Sequence, residues 1–345
     1  MLEITPSSLC VGSAVLSFFL GFPIYVLLTR FGIIDQPNER SSHESPTARG
    51  GGVAFLLSIF LIHPLLMIRE ASGVFGILFF ATIILGIVSF IDDIKGLPAS
   101  GRLTVQGLAA IASLVAIGLP DWHVTFAGMS LPTPFLLFLG WFWIVGYTNA
   151  FNFMDGINGL ASGQAVITGL GMAVIAAKLS GCWTTPETIL CLVIAGAAAG
   201  FLPHNFPRAR MFIGDVGSAS LGFLLSSLCV ALVKKLGPES LIPLVFLHLN
   251  FIFDTGITLI RRIARGDTWY SPHREHFYQR LIRSGKSHQA VTLAEMALAL
   301  VCCALILASQ EFSGLAKWLL LACCPIVWGA FFVMAEREFL RSQTA

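Results

Sequence analysis

Acidic, amide and basic residues gather in a few short stretches of an otherwise apolar chain, and their types suit phosphate chemistry. Asp92 and Asp93 stand together in FIDD. Asn149, Asn152, Asp155 and Asn158 follow one another at intervals of three in NAFNFMDGINGL, and Asp215 is flanked by Gly214 and Gly217 in FIGDVGS. The four aspartates offer only oxygen, the donor of a hard cation. Mg²⁺ is commonly bound through one or two carboxylates while waters or substrate phosphates fill the rest of its shell, so Asp92, Asp155 and Asp215 are candidate ligands that a diphosphate would complete. Spacing of three aligns side chains on one helical face, which leads us to expect Asn149, Asn152 and Asp155 to face a phosphate or a hydroxylated ligand together.

Cations accompany these acids. The stretch from Arg261 to Gln289 carries seven Lys and Arg residues and three histidines. Its H-x-x-H pair, His273 and His276, lacks a third nitrogen or thiolate at useful spacing. Anion binding by His273, Arg274 and His276 is therefore favoured over zinc. His43 and Arg49 precede three glycines, Gly50 to Gly52, where backbone N–H groups could approach a phosphate, although the spacing is not that of a P-loop. Each feature alone has an ordinary explanation: acids end or cap helices, and basic loops orient membrane proteins.

The elements that must position these residues are membrane spans. With 56% hydrophobic and 12% charged residues and a mean hydropathy of +0.81, the chain fits no soluble class. A span needs about 20 apolar residues, and eleven such runs are found, near 9–29, 50–68, 73–91, 103–120, 131–148, 159–177, 187–203, 216–233, 241–260, 291–309 and 315–335. The first lacks a basic leader and a cleavage site, and is read as a retained span. The whole chain, 1–345, is read as one all-α polytopic membrane domain.

The connections between runs alternate in character. Sixteen of the 21 Lys and Arg residues fall in one set, and five (Arg69, Lys178, Lys234, Lys235 and Lys317) in the other. The positive-inside rule makes the first set cytoplasmic, with the N-terminus outside and the C-terminus inside. All the residues singled out above lie in that set, so the chemistry is expected on one face. The eight cysteines form no C-x-x-C pair and read as packing residues. A secondary transporter would need mid-span polar groups and matched halves; charges are not deep in most runs, Asp254 being the main candidate, and no convincing internal repeat is evident. A CDP-alcohol phosphotransferase is suggested by the D-G of FMDGINGL, but the rest of that signature is missing.

Taken in order, D-x-P-N-x-R-x-x-H-x-x-P-x-x-R-G-G-G at 35–52, F-I-D-D at 90–93, N-A-F-N-F-M-D-G-I-N-G-L at 149–160, N-F-P-x-A-R-x-F-I-G-D-V-G-S at 205–218 and S-P-H-R-E-H-F-Y-Q-R-L at 271–281 resemble the polyprenyl-phosphate N-acetylhexosamine-1-phosphate transferase family, glycosyltransferase family 4. The resemblance implies ten or eleven transmembrane helices and Mg²⁺-dependent transfer (Mn²⁺ substituting) of a sugar 1-phosphate from a UDP-N-acetylhexosamine to undecaprenyl or another polyprenyl phosphate, with release of UMP. It implies that Asp92 and Asp93 handle the lipid phosphate, that Asp215 ligates magnesium, and that Asp155 is the acid of the Asn-rich loop. Asn205 is placed near nucleotide and metal, and His276 in the last motif. Asn158 stands where many relatives carry a second aspartate. The H-R-E-H-F-Y loop differs from the clustered histidines of the MraY type and from the H-I-H-H of the WecA type, which argues against the peptidoglycan precursor as donor and, within a WecA/WbpL-like family, fits a WbpL-like branch of surface-polysaccharide assembly better. The expected setting is the bacterial inner membrane, with a homodimer as an option and no nucleic-acid partner.

Overall fold

The computed structural model describes residues 5–37, 45–67, 73–118, 125–126, 129–268 and 273–344. Its helices are α1 (Pro6–Arg30), α2 (Val53–Met67), α3 (Gly73–Lys95), α4 (Ala99–Ile117), α5 (Thr133–Phe153), α6 (Leu160–Ser180), α7 (Pro186–Asn205), α8 (Asp215–Leu236), α9 (Leu241–Phe246), α10 (Leu249–Ala264), α11 (Phe277–Arg283), α12 (His288–Ser309) and α13 (Gly314–Thr344). Among the described residues each apolar run of the sequence is mainly helical. Among the described residues nine helices are long and apolar enough to cross a membrane, or ten if α9 and α10 form one span. The remaining run gives α2, whose described part, Val53–Met67, falls short of this measure, so nine or ten of the eleven runs qualify among the described residues. Short strands also occur in this all-α protein: β1 (Ile34–Asp35), β2 (Thr47–Arg49), β3 (Thr125–Phe126), β4 (Met129–Ser130) and β5 (Met211–Phe212).

The interior is built from α6, α7 and α8, whose most apolar windows are 83%, 78% and 83% buried, whereas that of α1 is 22% buried and the helix lies on the perimeter. The reason lies in residue size. Lipid tails are as apolar as leucine, so helices associate in a bilayer by close packing and small residues mark the contact. In α7 the stretch Gly196-Ala-Ala-Ala-Gly200 faces α1, and a β-carbon at either glycine would overlap a carbonyl of α1, Cys10 O or Ala14 O. Ser13 Oγ completes the seam by donating to Val193 O at 3.0 Å, and Ser58 Oγ of α2 donates to Ser13 O at 2.8 Å.

Three devices bring distant segments to one end of the bundle. A sheet ordered β1-β2-β5 pairs β2 antiparallel to β1 and parallel to β5, setting Arg49 opposite Phe212. The connection between α5 and α6 is tied to the end of α7, where Asn205 Oδ1 accepts the Gly159 N–H at 2.7 Å and Asn158 Nδ2 donates to Pro207 O at 3.2 Å. The ninth run is bent by 71° between α9 and α10, and Asp254 of α10 meets the start of α11, where it pairs with His276 and accepts the Phe277 N–H.

Candidate active site

Two arginines and three aspartates from four segments form a continuous chain of ion pairs. Asp92, in the last turn of α3, accepts Arg102 Nη1 at 2.8 Å, and the same nitrogen stands 3.3 Å from Asp215 Oδ2. Arg49 links the other side: its Nη2 lies 2.9 Å from Asp215 Oδ1 and its Nε 2.7 Å from Asp93 Oδ1. Burial alone would weaken the basicity of Arg49, but the charges of Asp93 and Asp215 raise it above the ordinary arginine value. Arg102 was not anticipated as a site residue. Its only signal in the sequence is a cation ten positions after Asp92.

The paired acids have different surroundings. Asp93 has no exposed side-chain surface, and it accepts the backbone N–H groups of Asp215 at 2.8 Å and Val216 at 3.0 Å. It thereby satisfies two of the open donors at the start of α8, as an N-terminal cap does from within the same chain segment. Asp92 keeps one oxygen on Arg102 and the other on the Leu97 N–H, and 6% of its side chain is exposed.

Asp155 lies in the turn after α5. Among the described residues its side chain makes no hydrogen bond or ion pair, and although some of its surface stays accessible, protein atoms crowd it on most sides. Burial, and then the charge of Asp215, hold its carboxyl well above the ordinary range. Asn149 and Asn152 share the last turns of α5, but the helix ends at Phe153, so the expected run of one face through Asp155 and Asn158 stops there. Asn149 Nδ2 donates to Gln106 Oε1 at 2.6 Å, and Asn152 Oδ1 accepts from Ser218 Oγ at 2.7 Å. Asn205 is buried, with its oxygen on Gly159 and its nitrogen on Met211 O at 3.1 Å; in this geometry it braces the loop that holds Asp155.

The glycine run is used for packing. The N–H groups of Gly51 and Gly52 donate to Phe212 O and Ile213 O, each at 2.8 Å, so they are not open to a phosphate as the sequence suggested. A β-carbon on Gly52 would overlap Gly217 at the start of α8, and this approach is what lets Arg49 reach Asp215. His43 falls outside the described residues.

The histidine loop contains a dyad. His276 is buried, and its Nδ1 lies 2.8 Å from Asp254 Oδ1, which also accepts the Phe277 N–H at 3.1 Å. Asp254 is the acid deep in an apolar run, and its cost there is met by these bonds. With Nδ1 engaged, Nε2 is the nitrogen left for a ligand. The loop borders Asp155 because Tyr278 OH donates to Phe153 O at 2.9 Å and the Phe153 and His276 rings stack at 5.9 Å. His273 is a poor cation: burial, then His276 and Arg262, push it down to about 4. Other arginines of this basic stretch are paired within the protein, Arg262 with Glu275 at 2.7 Å and Arg261 and Arg280 each with Glu336 at 2.8 Å. Arg274 borders this cluster, and its carbonyl accepts from Arg283 Nη1 at 3.2 Å.

Four carboxylates against two guanidinium groups leave the recess acidic. No ready-made group of three metal-binding side chains occurs among the described residues. The oxygen donors of Asp92, Asp155 and Asp215 nonetheless suit Mg²⁺, which needs few carboxylates when phosphates complete its shell, and Asp155 is a crowded carboxylate with no hydrogen-bond or ion-pair partner among the described residues.

Comparison with known proteins finds the family model described as glycosyl transferase family 4 over residues 75–233, a stretch that holds the four aspartates of the recess and ends before Asp254 and His276. The chain is 31% identical over 315 residues, 81% of its own length and 76% of the relative's, to a decaprenyl-phosphate N-acetylglucosaminephosphotransferase of Mycobacterium tuberculosis (strain CDC 1551 / Oshkosh). It is 31% identical over 273 residues, 76% of this chain and 74% of the relative, to the "Probable undecaprenyl-phosphate N-acetylglucosaminyl 1-phosphate transferase" of Bacillus subtilis (strain 168). A phospho-N-acetylmuramoyl-pentapeptide-transferase of Staphylococcus aureus (strain JH9) is 31% identical over 247 residues, covering 66% of this chain and 74% of the relative.

Proposed function

The chain belongs to glycosyl transferase family 4, and from that premise we infer that it transfers an N-acetylhexosamine 1-phosphate from a UDP-sugar to a polyprenyl phosphate. It is a multi-pass membrane enzyme acting on a lipid phosphate and a nucleotide sugar. The observation that carries this reading is the chain of contacts Asp92–Arg102–Asp215–Arg49–Asp93 at the ends of three membrane helices, α3, α4 and α8, where a lipid head group and a soluble nucleotide can meet.

In the reaction an oxygen of the acceptor phosphate attacks the sugar-bearing phosphorus of the donor. The bond to the bridging oxygen breaks, and UMP leaves with that oxygen. Both substrates are polyanions, so the main task is to offset their repulsion and hold attacking and leaving oxygens in line. The side chains of Arg49 and Arg102 are 34% and 37% exposed; turning from Asp215 toward the donor's diphosphate would place both guanidinium groups on phosphoryl oxygens. Asp92 orients the acceptor phosphate. His276 presents Nε2 toward the donor side, in the tautomer fixed by Asp254. Asp215, Asp92 and Asp155 are proposed to hold Mg²⁺, which when bound supplies positive charge to the phosphoryl oxygens.

We assign the recess to the cytoplasmic face, with the N-terminus outside, on the Lys and Arg distribution. Reporters fused after Arg283 and Gly237 should then fall on opposite sides, the first cytoplasmic. The donor is proposed to be a UDP-N-acetylhexosamine used for surface polysaccharide, because the H-R-E-H-F-Y loop lacks the clustered histidines of the pentapeptide transferases. The test is transfer of label from a panel of UDP-N-acetylhexosamines and UDP-N-acetylmuramoyl-pentapeptide to polyprenyl phosphate by the purified chain. Label transferred only from the pentapeptide donor, or from none, would reject this reading.

A further inference from the structure

α5 ends at Phe153, and the carbonyls of a helix's last turn have no partner within the helix. Phe153 O finds a donor from far along the chain, the hydroxyl of Tyr278 at 2.9 Å. Tyr278 is fully buried, and a buried tyrosine hydroxyl needs such a partner. Three residues after Phe153, Gly156 meets the same hydroxyl. A β-carbon there would stand 2.0 Å from the Tyr278 oxygen and 2.9 Å from its ring carbon Cζ. Gly156 does not lie in the left-handed region, so space and not backbone conformation excludes a side chain. The hydroxyl is thus seated against the chain on both sides of Asp155.

The other end of Tyr278 belongs to the histidine loop. Its N–H lies 3.4 Å from Asp254 Oδ2, and its ring stacks on that of His276 at 5.9 Å with 11° between the planes. The far end of the turn after α5 is held by different partners: Asn158 O accepts Thr292 Oγ1 at 2.8 Å, and the Gly159 N–H donates to Asn205. Tyr278 holds the end that carries Asp155. The Asp155 side chain makes no hydrogen bond or ion pair among the described residues, so its place is set through its backbone, and the backbone on either side of it meets one tyrosine.

We propose that Tyr278 is a positioning residue that locks Asp155 in register with the Asp254–His276 dyad, an inference that rests on the transferase reading above and its Mg²⁺ site. Tyr278 touches no substrate; it acts through Asp155. Groups that orient a metal ligand from outside the shell typically govern metal affinity or activity by roughly 10–100-fold. Phenylalanine in its place keeps the ring and its stacking and removes only the hydroxyl, so the lock can be opened without emptying the core.

The test titrates the purified full chain with Mn²⁺ in the presence of UMP and reads bound metal by electron paramagnetic resonance, so no turnover is needed. Tyr278→Phe should weaken Mn²⁺ binding about tenfold and raise the Mg²⁺ concentration for half-maximal transfer by a similar factor, with the rate approaching that of the wild type at saturating Mg²⁺. A role in folding alone would lower the rate at every Mg²⁺ concentration alike. Gly156→Ala drives a β-carbon into the hydroxyl and should bind Mn²⁺ more weakly still. The double variant Gly156→Ala/Tyr278→Phe, which removes the atom 2.0 Å away, should bind better than Gly156→Ala. Wild-type Mn²⁺ affinity and Mg²⁺ dependence in Tyr278→Phe, or no improvement of Gly156→Ala in the double variant, would overturn the lock. If Gly156→Ala does not fold, Tyr278→Phe decides by itself. Unchanged metal dependence of Tyr278→Phe in a chain that transfers sugar phosphate counts against the lock alone, whereas no Mn²⁺ binding and no transfer from any donor count against the function and the lock with it.

Discussion

Asp93 accepts the backbone N–H of Asp215 at 2.8 Å, so the second member of the acidic pair caps the helix on which Asp215 sits. The two neighbours in sequence thus divide their work. Asp93, with no exposed side-chain surface, caps α8 and pairs with Arg49, whereas Asp92, 6% of whose side chain is exposed, pairs with Arg102 and the Leu97 N–H. Asp93→Asn keeps one acceptor oxygen but loses the charge facing Arg49 and the helix N-terminus, and should cost about 1–3 kcal/mol of stability, read as a lower melting temperature and a smaller folded yield. Asp92→Asn should fold normally and lose roughly 10²-fold or more in kcat. Equal melting temperatures together with equal rates for the two variants would remove the division.

How much of this was legible in the sequence depended on the range of the interaction. Apolar runs are a property of composition, and among the described residues each run became mainly helix. The break after Phe246 was not legible, because LIPLVFLHLNFIF still averages as one apolar run despite His248 and Asn250, and hydropathy carries no direction. Arg102 looked like one more orienting charge, since its partner Asp215 lies 113 residues away. The glycines of 50–52 were recognised as special, but their use differed: close approach to Gly217 in place of bare N–H groups for an anion. Asp254 did carry a signal. A lone acid in an apolar run needs a partner, but the run could not name His276 as that partner.

Metal dependence follows from the oxygen-only donors. Activity should disappear with EDTA and return with Mg²⁺ or Mn²⁺. Asp155→Asn should raise the Mg²⁺ concentration for half-maximal rate at least about tenfold, the scale reported for weakened metal sites, because it removes the crowded carboxylate that has no partner among the described residues. Full rates after exhaustive chelation would exclude the proposed ligand set.

His273 makes stability depend on pH in a stated window. Its value falls from 6.5 in the unfolded reference to about 4 in the folded chain, so the folded state binds fewer protons between these values. The contribution is complete above pH 6.5 and is lost as pH falls toward 4. Thermal midpoints of the wild-type chain should decline over that interval, and those of His273→Gln should decline less. Parallel curves would mean that His273 does not titrate as its surroundings imply.

The Asp254–His276 pair yields the sharpest expectation, because it separates a positioned histidine from a merely basic loop. Asp254 fixes the tautomer by holding Nδ1 and anchors the start of α11 through the Phe277 N–H. Asp254→Asn is nearly isosteric and can still offer an oxygen to one of these donors, so α11 should stay in place. Its amide cannot balance a developing imidazolium charge, and it can present an N–H toward Nδ1 and so favour the wrong tautomer. The expected loss in kcat is about 10²-fold or more, with KM for the acceptor unchanged and the pH–rate profile shifted. His276→Ala should lose a similar amount, and the double variant little more than either single one, since groups that act as a unit are not additive. Arg265→Ala, which disturbs only the exposed pairing with Asp267 and Glu275, should leave kcat within about twofold, as a surface pair is worth at most ~1 kcal/mol. Additive losses in the double variant, or a normal rate in Asp254→Asn, would return His276 to the role of a helix cap beside a basic loop.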